Sequence, residues 1–198
     1  MRGILYLLNI KKEGNQMASD YQKLHEAVIE QSESNNWEDA KEEWTNVDDI
    51  EEDDQLSSQC VCGHENLRYL FTITNAINGR KLFPIGSTCI KQFENDDLNT
   101  VVGVYRQLLD LEKAVKDGTF VELNSDFFSR NMLRYLYDND AFAASVYNDF
   151  DAYNDYKFLL DMFNKRTEPS KNQKRKINAL VLKQIIPFIR KRIIKHGA

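Results

Sequence analysis

The chain has 198 residues, of which 42% are hydrophobic and 29% charged, enough for one ordinary domain or two small ones around a buried core. Eight glycines and three prolines exclude collagen-like and low-complexity architectures, and no apolar run reaches the roughly 20 residues that span a bilayer. The net charge of -5 conceals a split: residues 1–60 hold 15 acids and 5 bases, whereas residues 165–198 hold 11 bases and one acid, an asymmetry that marks partner-binding surfaces more than it marks a fold.

Residues 1–8, Met1-Arg2-Gly3-Ile4-Leu5-Tyr6-Leu7-Leu8, look superficially like a secretory signal. The apolar stretch is very short, however, and no small-residue cleavage site follows it. Lys12-Glu13-Gly14 can be encoded by a bacterial ribosome-binding sequence, with Asn15 and Gln16 as a spacer before Met17. This reading makes Met17 the native start and residues 1–16 an upstream leader translated in frame. It also makes the protein bacterial or phage-encoded and cytoplasmic.

Ser19-Asp20 followed by Leu24, Ala27, Val28 and Gln31 predicts a capped amphipathic helix. A second, short helix is expected from Asn36 to Trp44, with Trp37, Ala40 and Trp44 on one face. Residues 45–59 are polar and acidic and read as a mobile linker. From Asn66 the period changes to two, and Leu67, Tyr69, Phe71 and Ile73 alternate with Arg68, Leu70, Thr72 and Thr74, which predicts a strand. Asn78-Gly79 is a hairpin dipeptide tolerant of positive φ. The return strand should run from Lys81 to Ile85, with Pro84 placing it at an edge, and Gly86-Ser87 should open a helix through Phe93.

The remainder reads as helical. Leu98, Val101, Val102, Tyr105, Leu108 and Leu109 share a face that Gly118 terminates. Ser125 is the expected cap of a helix burying Phe128, Met132, Tyr135 and Leu136. Ala152, Tyr156, Leu159 and Phe163 mark a third helix. Ser170 precedes a long last one, from Asn172 to Lys195, kinked or loosened at Pro187.

All three cysteines fall within 30 residues. Cys60-Val61-Cys62-Gly63-His64 forms a compact knuckle, and the hairpin between would carry Cys89 back beside it. Gly63 suits a backbone turning around an ion, and Cys89 falls in the first turn of its helix, where the dipole favours a thiolate. Zinc takes four soft or borderline ligands in a tetrahedron, and Cys60, Cys62, His64 and Cys89 offer a Cys3His set. His64 lies only two residues beyond Cys62, so Glu65, another carboxylate, His25 or water are alternative fourth ligands. Three thiols without a metal are the competing reading. The odd count and the cytoplasmic reading argue against a disulfide. A closed four-ligand zinc site would be structural, its binding energy serving as folding energy.

The pairing of Cys60-Val61-Cys62-Gly63-His64 with Pro84-Ile85-Gly86-Ser87-Thr88-Cys89-Ile90-Lys91-Gln92-Phe93 resembles a motif of small zinc-binding proteins of phages and mobile elements. That motif covers roughly 35 residues, and related modules occur in phage proteins of no known role; by overall similarity the chain resembles zinc-containing type II-A anti-CRISPR proteins, which inhibit Cas9. The resemblance implies structural Zn2+, a Cas9-type nuclease of the bacterial host as protein partner, and stoichiometric inhibition by blocking nucleic-acid loading or activation.

Ten acids lie between Glu38 and Asp54, opposed only by Lys41. They read either as a solvated linker or as an acidic surface for a basic, nucleic-acid-binding groove, such as the guide channel of Cas9. In the second reading Asp48, Asp49, Glu51, Glu52, Asp53 and Asp54 would bind the partner. The last helix carries Lys176, Lys183 and Arg190 in one row, with Lys174, Arg175, Arg192 and Lys195 nearby. That face is a solvated cationic surface, a phosphate-binding one, or an intramolecular partner of the acids. Residues 127–163 contain 11 of the 22 aromatics, at helical spacing that favours core packing over base stacking.

No phosphate-binding glycine loop or nucleophile elbow is present. Asp149, Asp151 and Tyr153 start like a calcium loop, but Asn154 and Leu160 stand where glycine and glutamate are needed. Nothing assembles a base, a nucleophile and an orienting acid, so the expectation is a non-enzymatic protein. The expected fold is α+β, mainly α: a leader (1–16), N-terminal helices and acidic linker (17–59), a zinc-stabilised hairpin module (60–95) and a helical bundle ending in the basic helix (96–198). The alternative function is a nucleic-acid-binding accessory protein of phage replication or recombination, acting through that last helix, with no membrane role.

Overall fold

The computed structural model describes residues 19–192. The leader, Met17 and the stretch beyond Arg192 lie outside the described residues. The chain is mainly helical with one three-stranded antiparallel sheet of order β1-β2-β3, an α+β architecture. It divides into two compact units, the first ending at Val102 and the second beginning at Gly103.

In the first unit, helix α1 (19–31) buries Leu24 and Val28 completely. Helix α2 (Trp37–Glu42) starts at Asn36, whose side-chain oxygen accepts from the Asp39 N–H and so satisfies one of the helix's unpaired donors. The expected Trp37–Trp44 face is cut short, because Trp44 belongs to the following strand. Trp44 is fully buried and donates its indole N–H to Ser32 Oγ at 2.9 Å.

Strand β1 (Trp44–Glu52) corrects the reading of residues 45–59 as a mobile linker. It pairs antiparallel with β2 (Tyr69–Asn75), with register shifts at Trp44/Asn46 and Val47/Asp49. Each shift resets the alternation of faces, so Trp44, Asp49 and Ile50 are buried without any period-two pattern. The strand tolerates its acids because partners reach them. Asp48 accepts from the Thr74 hydroxyl at 2.6 Å and pairs with Lys81 at 2.7 Å, and Glu52 pairs with Arg68 at 2.8 Å.

β3 (Lys81–Ile85) occupies the opposite edge, where Pro84 leaves no ladder donor missing. In the loop joining β2 to β3 only Gly79 adopts positive φ, at 72°. Asn78 instead uses its amide, donating to Gln31 O and Glu33 Oε1 at 3.0 Å. Glu43 is the polar hub of this unit. Its buried carboxylate accepts from the Glu33 and Ser34 N–H groups at 2.9 and 2.8 Å and from Asn75 Nδ2 at 2.6 Å.

β3 leads into a short helix, α3 (Ser87–Ile90), and a 3-10 turn (Lys91–Phe93). Helix α4 (Asp96–Lys116) follows and ends where Gly118 takes φ 74°. In the second unit, α5 (Arg130–Asp138) is capped by Ser129, which accepts from the Met132 N–H; Ser125, the expected cap, precedes it. Asn124 begins a separate turn whose carbonyl accepts from Phe127 and Phe128, and this delays the helix by one turn. Helix α6 (Ala152–Phe163) is capped by Asp151, and α7 (Lys171–Leu180) starts in a capping box of Ser170 and Gln173. The loosening expected at Pro187 takes the form of a π-helical segment, Val181–Ile185, between α7 and α8 (Ile186–Arg192). Proline at 187 cannot donate to the carbonyl one turn back, and the wider register just before it absorbs that loss.

Burial alone would raise the Glu43 carboxyl, but its hydrogen bonds from Asn75, Glu33 and Ser34 prevail and hold it down to about 2. A depressed carboxylate adds stability above its unfolded value and loses it as the pH falls through the folded one. Glu43→Gln should therefore lower stability at neutral pH by about 2 kcal/mol. The deficit relative to the unmutated chain should shrink as pH drops from 4.5 to about 2. Urea unfolding of both proteins across that range measures it.

Candidate metal centre

The knuckle is built from its backbone. Gly63 N–H donates to Cys60 O, and Cys60 N–H donates to His64 O, both at 2.8 Å. Gly63 sits at φ 92°, a conformation that opposes any β-carbon. A side chain there would also meet the Lys23 ammonium of α1 at 3.0 Å. The knuckle docks on the end of β3 through the Val61 N–H, which donates to Pro84 O at 2.9 Å. Two residues later the Gly86 N–H points at Cys60 Sγ at 3.4 Å, and α3 then presents Cys89.

The three sulfurs consequently converge. Cys60 Sγ and Cys89 Sγ lie 3.6 Å apart, Cys89 Sγ and Cys62 Sγ 3.3 Å apart, and all three fall within 4.8 Å of one another. Cys60 and Cys62 are buried and Cys89 is partly so. The hydrogen bond from the Cys89 thiol brings Cys60 down to about 5, with further help from the Cys62 and Gly86 N–H groups. Cys89 is pushed up, first by that same hydrogen bond to Cys60 and then by burial, and Cys62 is pushed up by burial. The first negative charge therefore resides on Cys60, backed by amide donors. Helix α3 has only four residues, so it offers Cys89 little of the dipole assistance that a longer helix would. A soft cation that replaces those protons finds three preplaced thiolates, so the triad is able to hold a metal ion.

His64 stands apart from the triad. Its side chain is 68% exposed, with Nδ1 4.0 Å from Asp20 Oδ2 on α1. The reason is local: the His64 carbonyl accepts from Cys60 and its N–H serves the Cys62 sulfur, so its backbone is committed to the turn and the imidazole is directed outward. His25 is also elsewhere, stacked on Trp37 at 3.9 Å between ring centres, with burial pushing its imidazole down. Glu65 is exposed. Among the described residues the cluster with metal-ligand geometry consists of Cys60, Cys62 and Cys89.

The six acids named as a partner surface are largely engaged within the fold. Asp48 and Glu52 are paired as described, and Asp49 is buried. Asp53 is held down to about 2, first by the Ser58 hydroxyl; it also accepts from the Ser57 hydroxyl and the N–H groups of Gln55, Ser57 and Ser58. Glu51 and Asp54 are exposed. Asp53 is a structural residue: its carboxylate takes the N–H two residues on, at 2.9 Å, the turn for which aspartate is the usual signal in a polar stretch. It sets the approach to the knuckle, which continues through the Ser58–Leu67 bridge. Three bases of the last helical stretch are likewise paired: Lys174 with Glu168 at 2.7 Å, Lys176 with Asp155 at 2.8 Å, and Arg190 with Glu112 at 2.9 Å.

Comparison with protein-family models, curated proteins and solved structures yields no match. The fold and the cluster define an α+β, mainly helical protein with a three-thiol candidate metal centre, and no helix among the described residues is long and apolar enough to cross a membrane.

Because thiolates are the ligands, metal uptake should displace thiol protons and weaken as the pH falls from about 8 to about 6. Cobalt(II) titration should give thiolate charge-transfer absorption at one equivalent. Cys60→Ser, Cys62→Ser and Cys89→Ser should each abolish it, while His64→Ala leaves it in place. Loss of the band in His64→Ala alone would return the imidazole to the ligand set.

Proposed function

We propose that this chain is a non-enzymatic, zinc-stabilised binding protein of phage type, which inhibits a Cas9-type nuclease stoichiometrically by blocking nucleic-acid loading or a required domain movement. The observation that carries the reading is the convergence of the Cys60, Cys62 and Cys89 sulfurs. These are the cysteines of the phage-type zinc motif, and the overall resemblance of the chain to zinc-containing anti-CRISPR proteins supplies the partner class.

Zinc fits the donor set. A tetrahedron with bonds of about 2.3 Å has edges of about 3.8 Å, and the sulfur separations of 3.3 and 3.6 Å need only a small expansion to reach it. Cys60, Cys62 and Cys89 would hold the ion, with a water or small anion completing the fourth position. When bound, the ion supplies cross-linking between the knuckle and α3, worth roughly 10–16 kcal/mol in zinc-finger peptides. In the chain itself, the Gly86 N–H and the knuckle amides would stabilise the thiolates.

The nucleic-acid-binding alternative rests on the basic last helix. The ion pairs of Lys174, Lys176 and Arg190 leave less unpaired charge there than the sequence suggests, which favours a protein partner over a phosphate backbone.

Target cleavage should fall to background when this protein, in a few-fold molar excess, is added to Cas9 before the guide RNA and target DNA, and Cys89→Ala should restore cleavage. Full cleavage at large excess overturns the reading. Salt-dependent DNA binding by the protein alone, with cleavage unaffected, would point to the accessory-protein alternative.

A further inference from the structure

The segment between α5 and α6, with the first turn of α6, displays apolar side chains to water although hydrogen bonds hold its backbone. Val146, Tyr147, Phe150 and Tyr153 are 67%, 87%, 70% and 44% exposed. Ser145 and Asn148 form a capping box around the 3-10 turn Val146–Asn148. Two consecutive non-glycine residues then take positive φ, Asp149 at 54° and Phe150 at 58°. Aspartate tolerates that conformation, whereas for a phenylalanine it is an outlier that persists only where its surroundings impose it.

The surroundings do impose it. The Phe150 N–H donates to Ser145 O at 2.8 Å, and the Asp151 N–H to Asn148 O at 3.0 Å. Asn148 is buried and donates its amide to Ala143 O at 2.9 Å and to Asp155 Oδ2 at 2.8 Å. Asp155, only 2% exposed, is clamped in turn by Lys176 of α7 at 2.8 Å. A buried, charge-paired network thus fixes a turn whose visible product is a set of rings standing in solvent. Aromatic rings ordinarily gain by burial, and a preorganised exposed cluster of them has the composition of a binding hot spot.

The charge around the cluster selects the occupant. Residues 135–156 contain five aspartates and no lysine or arginine. Asp155 is matched by Lys176, and Asp138 by Arg134 at 2.7 Å. The exposed Asp149 and Asp151 flank Phe150 in the chain, and Asp151 keeps its charge while accepting the Tyr153 N–H as the cap of α6. A nucleic-acid strand stacking on the rings would bring phosphates against these carboxylates, whereas guanidinium and ammonium groups would pair with them and lie over the ring faces. We infer that the Val146–Tyr153 turn is a docking site for a basic, arginine- or lysine-bearing protein segment, with Tyr147 and Phe150 as anchors and Asp149 and Asp151 as charge partners. This surface belongs to the second unit and does not rest on the nuclease reading or on the metal centre.

The test uses the full chain and a labelled peptide of alternating arginine and leucine, with an acidic glutamate–leucine peptide and oligo(dT) as competing probes, read by fluorescence anisotropy. The basic peptide should bind with an affinity that falls as salt rises, and at least tenfold more tightly than either other probe. Tyr147→Ser should weaken it about tenfold, and Asp149→Asn with Asp151→Asn several-fold with a shallower salt dependence. Glu51→Gln with Asp54→Asn, in the other unit, should leave it unchanged. Phe150→Asn separates docking from folding. Asparagine accepts positive φ, so this variant should unfold at the same temperature as the unmutated chain or higher while binding the peptide about tenfold more weakly. A drop in its unfolding temperature would make Phe150 a packing residue and overturn the inference. So would unchanged peptide binding in the Tyr147 and Phe150 variants, tighter oligo(dT) binding that depends on those rings, or self-association of the chain that the same variants abolish.

Discussion

Two hydrogen bonds between the knuckle and the end of β3, Val61 N–H to Pro84 O and Gly86 N–H to Cys60 Sγ, determine the candidate site. Cys60 and Cys89 are 29 residues apart, and closing a loop of that length is entropically unfavourable unless something local secures it. The β2–β3 hairpin does most of the approach and these two contacts complete it. The Gly86 donor also lies on Cys60, where it adds to the larger effect of the Cys89 hydrogen bond in favouring the thiolate. A metal ion would then occupy a place that the backbone has already shaped.

Those contacts depend on a sheet that is only partly legible in the sequence. The boundaries of β3, the opening of α3 at Gly86 and the Ser170 capping box follow from local signals, each carried by a few adjacent residues. β1 does not. Its two register shifts erase the alternation that identifies a strand, and its acids look like a solvated run until Thr74, Lys81 and Arg68 are placed beside them. The partners that make the segment a strand lie 16 to 33 residues further along the chain, beyond the reach of any window. Glu43 is hidden for the same reason: nothing in its neighbours announces that Asn75 will donate to it.

His64 illustrates a different limit. Ligand spacing in a sequence counts donor atoms, but it does not fix where a side chain points. In a turn this tight both the N–H and the carbonyl of residue 64 are taken, one by the Cys62 sulfur and the other by Cys60. The imidazole is left on the outside, near Asp20. The three thiols were legible because cysteine is rarely exposed without cause and because a predicted hairpin was enough to bring them together.

The opposed charges of the two chain ends acquire a different meaning once their partners are known. Much of the acidic run is compensated by lysine, arginine, hydroxyl and amide donors, and Lys174, Lys176 and Arg190 of the basic stretch are paired with Glu168, Asp155 and Glu112. Density of charge in sequence is therefore a poor guide to charge that remains for a partner. The aromatic-rich stretch carries the complementary lesson. Phe128, Phe142 and Tyr156 are buried, whereas Tyr147 and Phe150 are not, and of these five only Tyr156 lies in an α-helix. Two successive positive-φ residues, Asp149 and Phe150, keep the stretch between α5 and α6 out of the helical period, and within that stretch spacing does not predict burial. Where a chain leaves the helical region of φ without a glycine, the geometry is imposed by tertiary hydrogen bonds, here those of Asn148 and Asp155, and the side chains it exposes are exposed by construction of the fold.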